Sequence, residues 1–98
     1  MDFEWDDAKN HKNIRKHKIS FETAAFAFVD PKHVSIQDRI VDGEERWQTI
    51  GMVQGRLLLL VAHTLWDADN GSTVVRIISA RRAEPKERKR YEQANQNC

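Results

Sequence analysis

The sequence predicts a small α+β domain in which two N-terminal helices precede an antiparallel β-meander and a last helix closes the chain. Three observations predict it. Phe21, Ala24, Ala25 and Phe28 recur at i, i+3, i+4 and i+7, the spacing of one helical face. From His33 onward the pattern changes to short β-rich runs at 33–37, 46–53, 56–64 and 73–81, separated by turn residues. Pro85 then opens a polar segment reaching about residue 95, and proline suits the first turn of a helix.

Each element has its local cause. Asp6 or Asp7 can cap a helix over about residues 7–17, because a carboxylate accepts the orphan N–H groups of the first turn and complements its dipole. Its apolar stripe is thin, Ala8 and Ile14 with lysine stems, so packing on Phe3 and Trp5 is expected to hold it. Ser20 caps the second helix, which should stop at Asp30-Pro31 because proline lacks an N–H and keeps its predecessor out of the helical region. Asp42-Gly43, Gly55 and Asn70-Gly71 supply the positive φ angles of tight turns, and Asn70-Gly71 is the strongest hairpin signal. Leu57 to Ala62 lacks alternation, which places it in the sheet centre with both faces covered. Strict alternation along Val74–Arg82 puts Val75, Ile77, Ser79 and Arg81 on one side and Val74, Arg76, Ile78, Ala80 and Arg82 on the other. The last helix has Tyr91 as its only aromatic, and the tail Gln93–Cys98 is expected to fray.

A chain of 98 residues suits one domain, 1–98, with one small core. At 40% hydrophobic and 32% charged it has a heavily charged surface without the composition of a disordered chain. The longest apolar run, Leu57–Ala62, is far short of the ~20 residues a bilayer needs, and the acidic start differs from a secretion signal. A cytoplasmic protein without membrane contact is expected. The lone cysteine, Cys98, cannot form an internal disulfide, and no Cys or His pair has zinc spacing, so no metal and no cofactor are expected. No P-loop, dinucleotide fingerprint or nucleophile elbow is present.

The net charge of +1 hides two basic blocks. Lys9–Lys18 carries five Lys/Arg, two His and no acid, and Arg81–Arg90 carries six Lys/Arg against two acids. Such blocks suit a polyanion or form ordinary solvated helix faces.

Phe3-Glu4-Trp5-Asp6-Asp7-Ala8-Lys9, Asn13-Ile14-Arg15-Lys16-His17 and Ser20-Phe21-Glu22-Thr23-Ala24-Ala25 resemble the opening of the BrnT family of bacterial toxins. Gly43-Glu44-Glu45-Arg46-Trp47, Ile50-Gly51, Arg76-Ile77-Ile78-Ser79-Ala80-Arg81-Arg82-Ala83, Glu87-Arg88 and Tyr91 continue the resemblance in order over nearly the whole chain. One departure is Glu84, where relatives often carry a Ser or Thr cap. The resemblance implies a RelE-like fold and a ribonuclease toxin of a type II toxin-antitoxin system that arrests translation. It further implies a BrnA-like antitoxin with a ribbon-helix-helix domain, a heterotetramer with two copies of each chain, and contact with operator DNA through the antitoxin.

Metal-free RNA cleavage needs a base for the 2′-OH, an acid for the 5′-oxygen and cations for the phosphorane. One positioned acid or base supplies about 10²–10⁴, and one preorganised charge donor about 10²–10³. The candidate catalytic residues are Lys16, His17, Arg81 and Tyr91, and the candidate phosphate ligands are Arg46, Arg76, Arg82 and Arg88. His17 beside Lys16 is an acid-base pair at a helix end, or two surface side chains. Arg81 and Arg82 can grip phosphate oxygens in pairs or stand solvated at a strand end. Arg76, mid-strand among apolar residues, either faces a cleft or pairs with an acid. Tyr91 can be a base, an acid, a stacking platform or the apolar anchor of its helix. His63 reads as a hydrogen-bonded core histidine or a participant in the chemistry, and Trp5, Trp47 and Trp66 as core or partner-interface residues. Two rival functions are a non-catalytic module that blocks translation by occupying RNA or the ribosome, and a structural subunit of a DNA-binding complex.

Overall fold

In the computed structural model, which describes residues 1–96, the chain runs β1 (Asp2–Glu4), α1 (Asp7–His17), α2 (Phe21–Ala25), a 3-10 turn (Phe26–Val29), β2 (Val34–Val41), β3 (Glu44–Val53), β4 (Leu57–Asp67), β5 (Thr73–Arg82) and α3 (Pro85–Ala94). Asn97 and Cys98, the end of the tail expected to fray, lie outside the described residues. Gln93 and Ala94, at the start of that stretch, belong to α3.

Polar side chains, rather than the expected packing on Phe3 and Trp5, hold α1. Asp6 caps it by accepting from the Lys9 N–H at 3.0 Å, and Lys18 ends it in the left-handed region at φ 62°. Ala8 and Ile14 face solvent. Buried Asn13 instead donates from Nδ2 to the carbonyls of Ile19 (2.8 Å) and Ala80 (2.9 Å), and its Oδ1 accepts from the Ala80 N–H (3.1 Å). Asn10 Oδ1 accepts from the Phe21 N–H at 2.8 Å. Trp5 and Phe3 pack edge-on against Phe21 and Phe28, anchoring the second helical segment rather than α1.

Ser20 Oγ accepts from the Thr23 N–H at 3.1 Å and starts α2. The single helix expected up to Asp30-Pro31 tightens after Ala25 into a 3-10 turn. The cause is close packing: a Cβ on Gly51 would lie 2.2 Å from the Ala27 carbonyl oxygen, so the turn sits directly on the β3 backbone.

The strand order is β1-β5-β4-β3-β2. Strands β2 to β5 pair antiparallel in sequence order, whereas β1 pairs parallel to β5 through Asp2↔Val74, Phe3↔Val75 and Glu4↔Arg76. The sheet is therefore mixed, which corrects the expected all-antiparallel meander. Three residues are too few for alternation to show, so β1 left no pattern in the sequence. Central β4 buries Leu58 and Leu60 on one face and Leu59 and Val61 on the other, as a run without alternation requires.

A bulge shifts the register of β5 between Ala62↔Ser79 and His63↔Ile77, leaving Ile78 extra. Ala80 consequently joins Val75 and Ile77 against α2, with Arg82 on that side, while Arg81 turns to the face covered by α3. This corrects the strict alternation expected for Val74–Arg82, which grouped Arg81 with Val75 and Ile77.

Candidate functional site

Among the described residues, Tyr91 of α3 covers one end of the sheet face away from α2, packing on Ile50, Leu58 and Leu60. Residues directly opposite in an antiparallel ladder share a face. The pairs Gln48↔Ala62↔Ser79, Thr64↔Arg76 and Leu60↔Arg81, with Arg46 two residues before Gln48, therefore place Arg46, Arg76 and Arg81 on the same face. Arg76 and Ser79 are exposed there, and Arg46, Gln48 and Arg81 are half-buried.

Arg81 anchors this surface. Its Nη1 and Nη2 donate to Glu87 Oε1 (2.8 Å) and Oε2 (2.7 Å), and Nη1 also donates to the Arg82 carbonyl. Glu87 Oε1 accepts in addition from the Glu84 N–H at 2.8 Å, which satisfies an orphan donor at the start of α3. The hydrogen bonds from Arg81 hold the Glu87 carboxyl below its ordinary pKa against the opposing effect of burial, and the same bonds raise that of Arg81. Lys86 and Arg90, one turn apart on α3, line a cleft of about 250 Å³ with Gln48, Arg81 and Glu87.

Each of the other two arginines on this face also has an acid near it. Arg76 Nη1 donates to Glu4 Oε2 at 3.1 Å, and the same oxygen accepts from Trp66 Nε1 at 3.2 Å. Arg46 Nε lies 3.7 Å from Glu44 Oε1 and, among the described residues, is buried without a hydrogen-bond partner.

Tyr91 lies beneath this surface. Its hydroxyl donates to Asp30 Oδ2 at 2.6 Å, and burial, then the hydrogen bond and charge of Asp30, push its pKa up to about 12. Asp30 also accepts from the N–H groups of Met52 and Lys32. Burial alone would raise its carboxyl, but these bonds and that from Tyr91 bring it below the ordinary value.

Lys16 and His17 stand apart on α1, where with Lys9, Lys12 and Asn13 they line a groove of about 240 Å³ against Ile78 and Ser79 of β5. Ser79 belongs to both this groove and the arginine face, so the two are contiguous across β5. Arg82 points to the opposite sheet face, and exposed Arg88 does not line the Arg81 cleft. His63 is buried against Phe28, with Nε2 2.7 Å from Thr49 Oγ1, and burial pulls its pKa down to about 4.

Sequence reasoning missed Gln48, Lys86, Arg90, Glu87 and Asp30. Gln48 shares the alternation phase of Arg46, and Lys86 and Arg90 have i,i+4 spacing, so their placement was available in the pattern. Glu87 stands three residues after Glu84, the capping-box spacing, so part of its role had a local signal, whereas the bond from Tyr91 to Asp30 joins residues 61 positions apart and had none. Among the described residues no group of three or more His, Cys, Asp or Glu converges as a metal site.

A family model described as the ribonuclease toxin BrnT of type II toxin-antitoxin systems matches residues 5–87. The crystal structure of the ribonuclease toxin BrnT from Brucella abortus, at 1.1 Å resolution, superposes with a TM-score of 0.65 and 26% sequence identity, covering 86% of this chain and 97% of that one. A search of curated proteins found no match.

Proposed function

The chain belongs to the BrnT family of ribonuclease toxins of type II toxin-antitoxin systems, and from that premise we propose that it cleaves RNA where the arginine face meets the α1 groove. The observation that carries this reading is the convergence of Arg46, Arg76 and Arg81 on one sheet face with Lys16 and His17 beside it across Ser79. In this mechanism the 2′-oxygen attacks the adjacent phosphorus and the 5′-oxygen leaves. The guanidiniums of Arg46, Arg76 and Arg81 neutralise the phosphorane, while Lys16 and His17 exchange the two protons without a metal.

Tyr91 is assigned to positioning rather than proton transfer. A hydroxyl that already donates to Asp30 and ionises only near pH 12 is a poor base at neutral pH, but it fixes α3 and hence Glu87 and Arg81. Arg82 and Arg88 contribute to RNA binding outside the cleavage centre. RNA cleavage would inhibit translation in the cytoplasm. A protein antitoxin of BrnA-like type, in a complex with two copies of each chain, would neutralise the toxin by covering the arginine face and would carry any contact with operator DNA.

The test is incubation with total RNA in chelator, comparing wild type, His17→Gln and Arg46→Gln, with and without antitoxin. The expected result is cleavage by wild type, about a hundredfold loss in each variant, and protection by antitoxin. Wild type that leaves both naked RNA and the messages of translating ribosomes intact, while still binding RNA, would establish the occupancy mechanism instead. Cleavage that vanishes in chelator and returns with a divalent cation would overturn the metal-free assignment.

A further inference from the structure

On the sheet face opposite the cleavage arginines lies a cavity of about 470 Å³, within the range of small-molecule sites. Arg56, from the turn between β3 and β4, and Arg82, from the end of β5, both line it. Among the described residues neither guanidinium makes a salt bridge or a side-chain hydrogen bond, in contrast to Arg76 and Arg81. The cavity therefore holds two uncompensated cations.

Beside them is Phe26, which is 62% exposed although the next residue, Ala27, sits directly on the β3 backbone at Gly51. An aromatic face left in water next to two guanidiniums is the arrangement that stacks an unpaired base and holds its phosphate. Two neutral polar groups, Thr23 and Gln54, also line it, with Val53 of β3 and Leu57 of β4. Thr23 Oγ1 accepts from Ser20 Oγ at 3.0 Å, which leaves its own proton to donate. Gln54 has φ 55°, a left-handed conformation costing roughly 1–2 kcal/mol in a residue with a side chain, at a turn position that glycine would take without strain. The strain is tolerated at a position that also presents an amide, donor and acceptor together, to the cavity.

We propose that this cavity is a nucleotide subsite that takes one unpaired nucleotide of the RNA substrate, away from the scissile bond, and sets sequence preference. It rests on the ribonuclease reading. Arg56 and Arg82 hold the phosphate, Phe26 stacks the base, and Gln54 and Thr23 read the base edge. Consecutive Arg81 and Arg82 lie on opposite faces at one end of β5, so a strand crossing that end meets the cleavage face and then the subsite.

The test uses the full chain, with a single-stranded RNA fully 2′-O-methylated to prevent cleavage, and compares wild type, Phe26→Ala, Arg56→Gln and Gln54→Gly. Phe26→Ala is expected to weaken binding about tenfold, the loss of one stacked base. Arg56→Gln is expected to lower the salt slope by about 0.7, the loss of one phosphate contact. Gln54→Gly is expected to melt no lower than wild type yet to flatten the preference at one position removed from the cut, read by sequencing the cleavage products of unmodified RNA. Wild type that cuts RNA while all three variants keep its affinity, salt slope and cut-site profile overturns the subsite and leaves the ribonuclease reading intact. Wild type that neither binds nor cuts RNA overturns both. Variants that lose only antitoxin affinity show a protein-docking surface, which overturns the nucleotide assignment.

Discussion

Arg81 illustrates why a candidate catalytic residue cannot be tested by truncation alone. Its partner Glu87 has a side chain only 9% exposed and accepts three hydrogen bonds, two from Arg81 and one from the start of α3. Arg81→Ala leaves that carboxylate buried and half-satisfied. We expect a loss of about 2–3 kcal/mol, toward the lower end for a broken buried pair because Arg81 is a third open to solvent. Arg81→Lys keeps one charge and should lose less stability but most of the cleavage, because lysine cannot reproduce the two-pronged grip. Urea midpoints beside cleavage rates separate the two effects, and equal stability of wild type and Arg81→Ala would remove the structural role. His63 makes a second prediction. Its pKa of about 4 lies below the ordinary 6.5, so the folded state resists protonation. The resulting stabilisation is complete above pH 6.5 and is lost as pH falls toward 4, by about 3 kcal/mol in all. In His63→Gln the acid-side stability curve should flatten over that window, and an unchanged curve would assign the acid sensitivity to carboxylates such as Glu87 and Asp30.

Among the elements, those whose signal is local were legible in the sequence. The Ser20 cap, the Phe21-Ala24-Phe28 face and the turns at Gly43, Gly55 and Gly71 are each written within a few residues, and each is found in place. What was not legible depends on distant partners. The 3-10 turn exists because Gly51, more than twenty positions later, allows Ala27 to approach, and the faces of Arg81 and Arg82 depend on a bulge opposite another strand. The site suffered most from this. Basic residue types could be listed from the chain, but the ladder register decides that Arg46, Arg76 and Arg81 share a face and that Arg82 does not. Helix α1 is the extreme case, since its thin apolar stripe pointed to packing on Phe3 and Trp5. Beyond the three-residue β1, the outer side of β5 meets Asn13 instead of a strand: its amide both donates to and accepts from Ala80 in the manner of a backbone neighbour. Asn13→Ala removes three hydrogen bonds and strands buried backbone groups, a cost of about 3 kcal/mol. The Ala80 amide should then exchange its hydrogen much faster than its neighbours paired to β4. Protection equal to wild type would show that α1 is held by packing after all.

For the whole molecule, the informative quantity is the arrangement of charge rather than the net value of +1. Two of the three arginines on the cleavage face form close ion pairs with an acid, Arg76 with Glu4 and Arg81 with Glu87, and Arg46 lies near Glu44. The free protein thereby keeps a cationic surface without strong self-repulsion, but RNA phosphate must compete with carboxylates already in place. Glu4 is the most informative of these because both members of its pair are well exposed and removing its charge should leave the fold intact. In Glu4→Gln the amide oxygen can still accept from Trp66, while Arg76 loses its counter-charge. Affinity for 2′-O-methylated RNA should rise about two- to fivefold at low ionic strength and converge on wild type near 1 M salt, where the Debye length shrinks to about 3 Å. A gain that persists at high salt would point to a conformational effect instead. Unchanged affinity at low salt would place Arg76 outside the path of the RNA, leaving Arg46 and Arg81 as the phosphate ligands of that face.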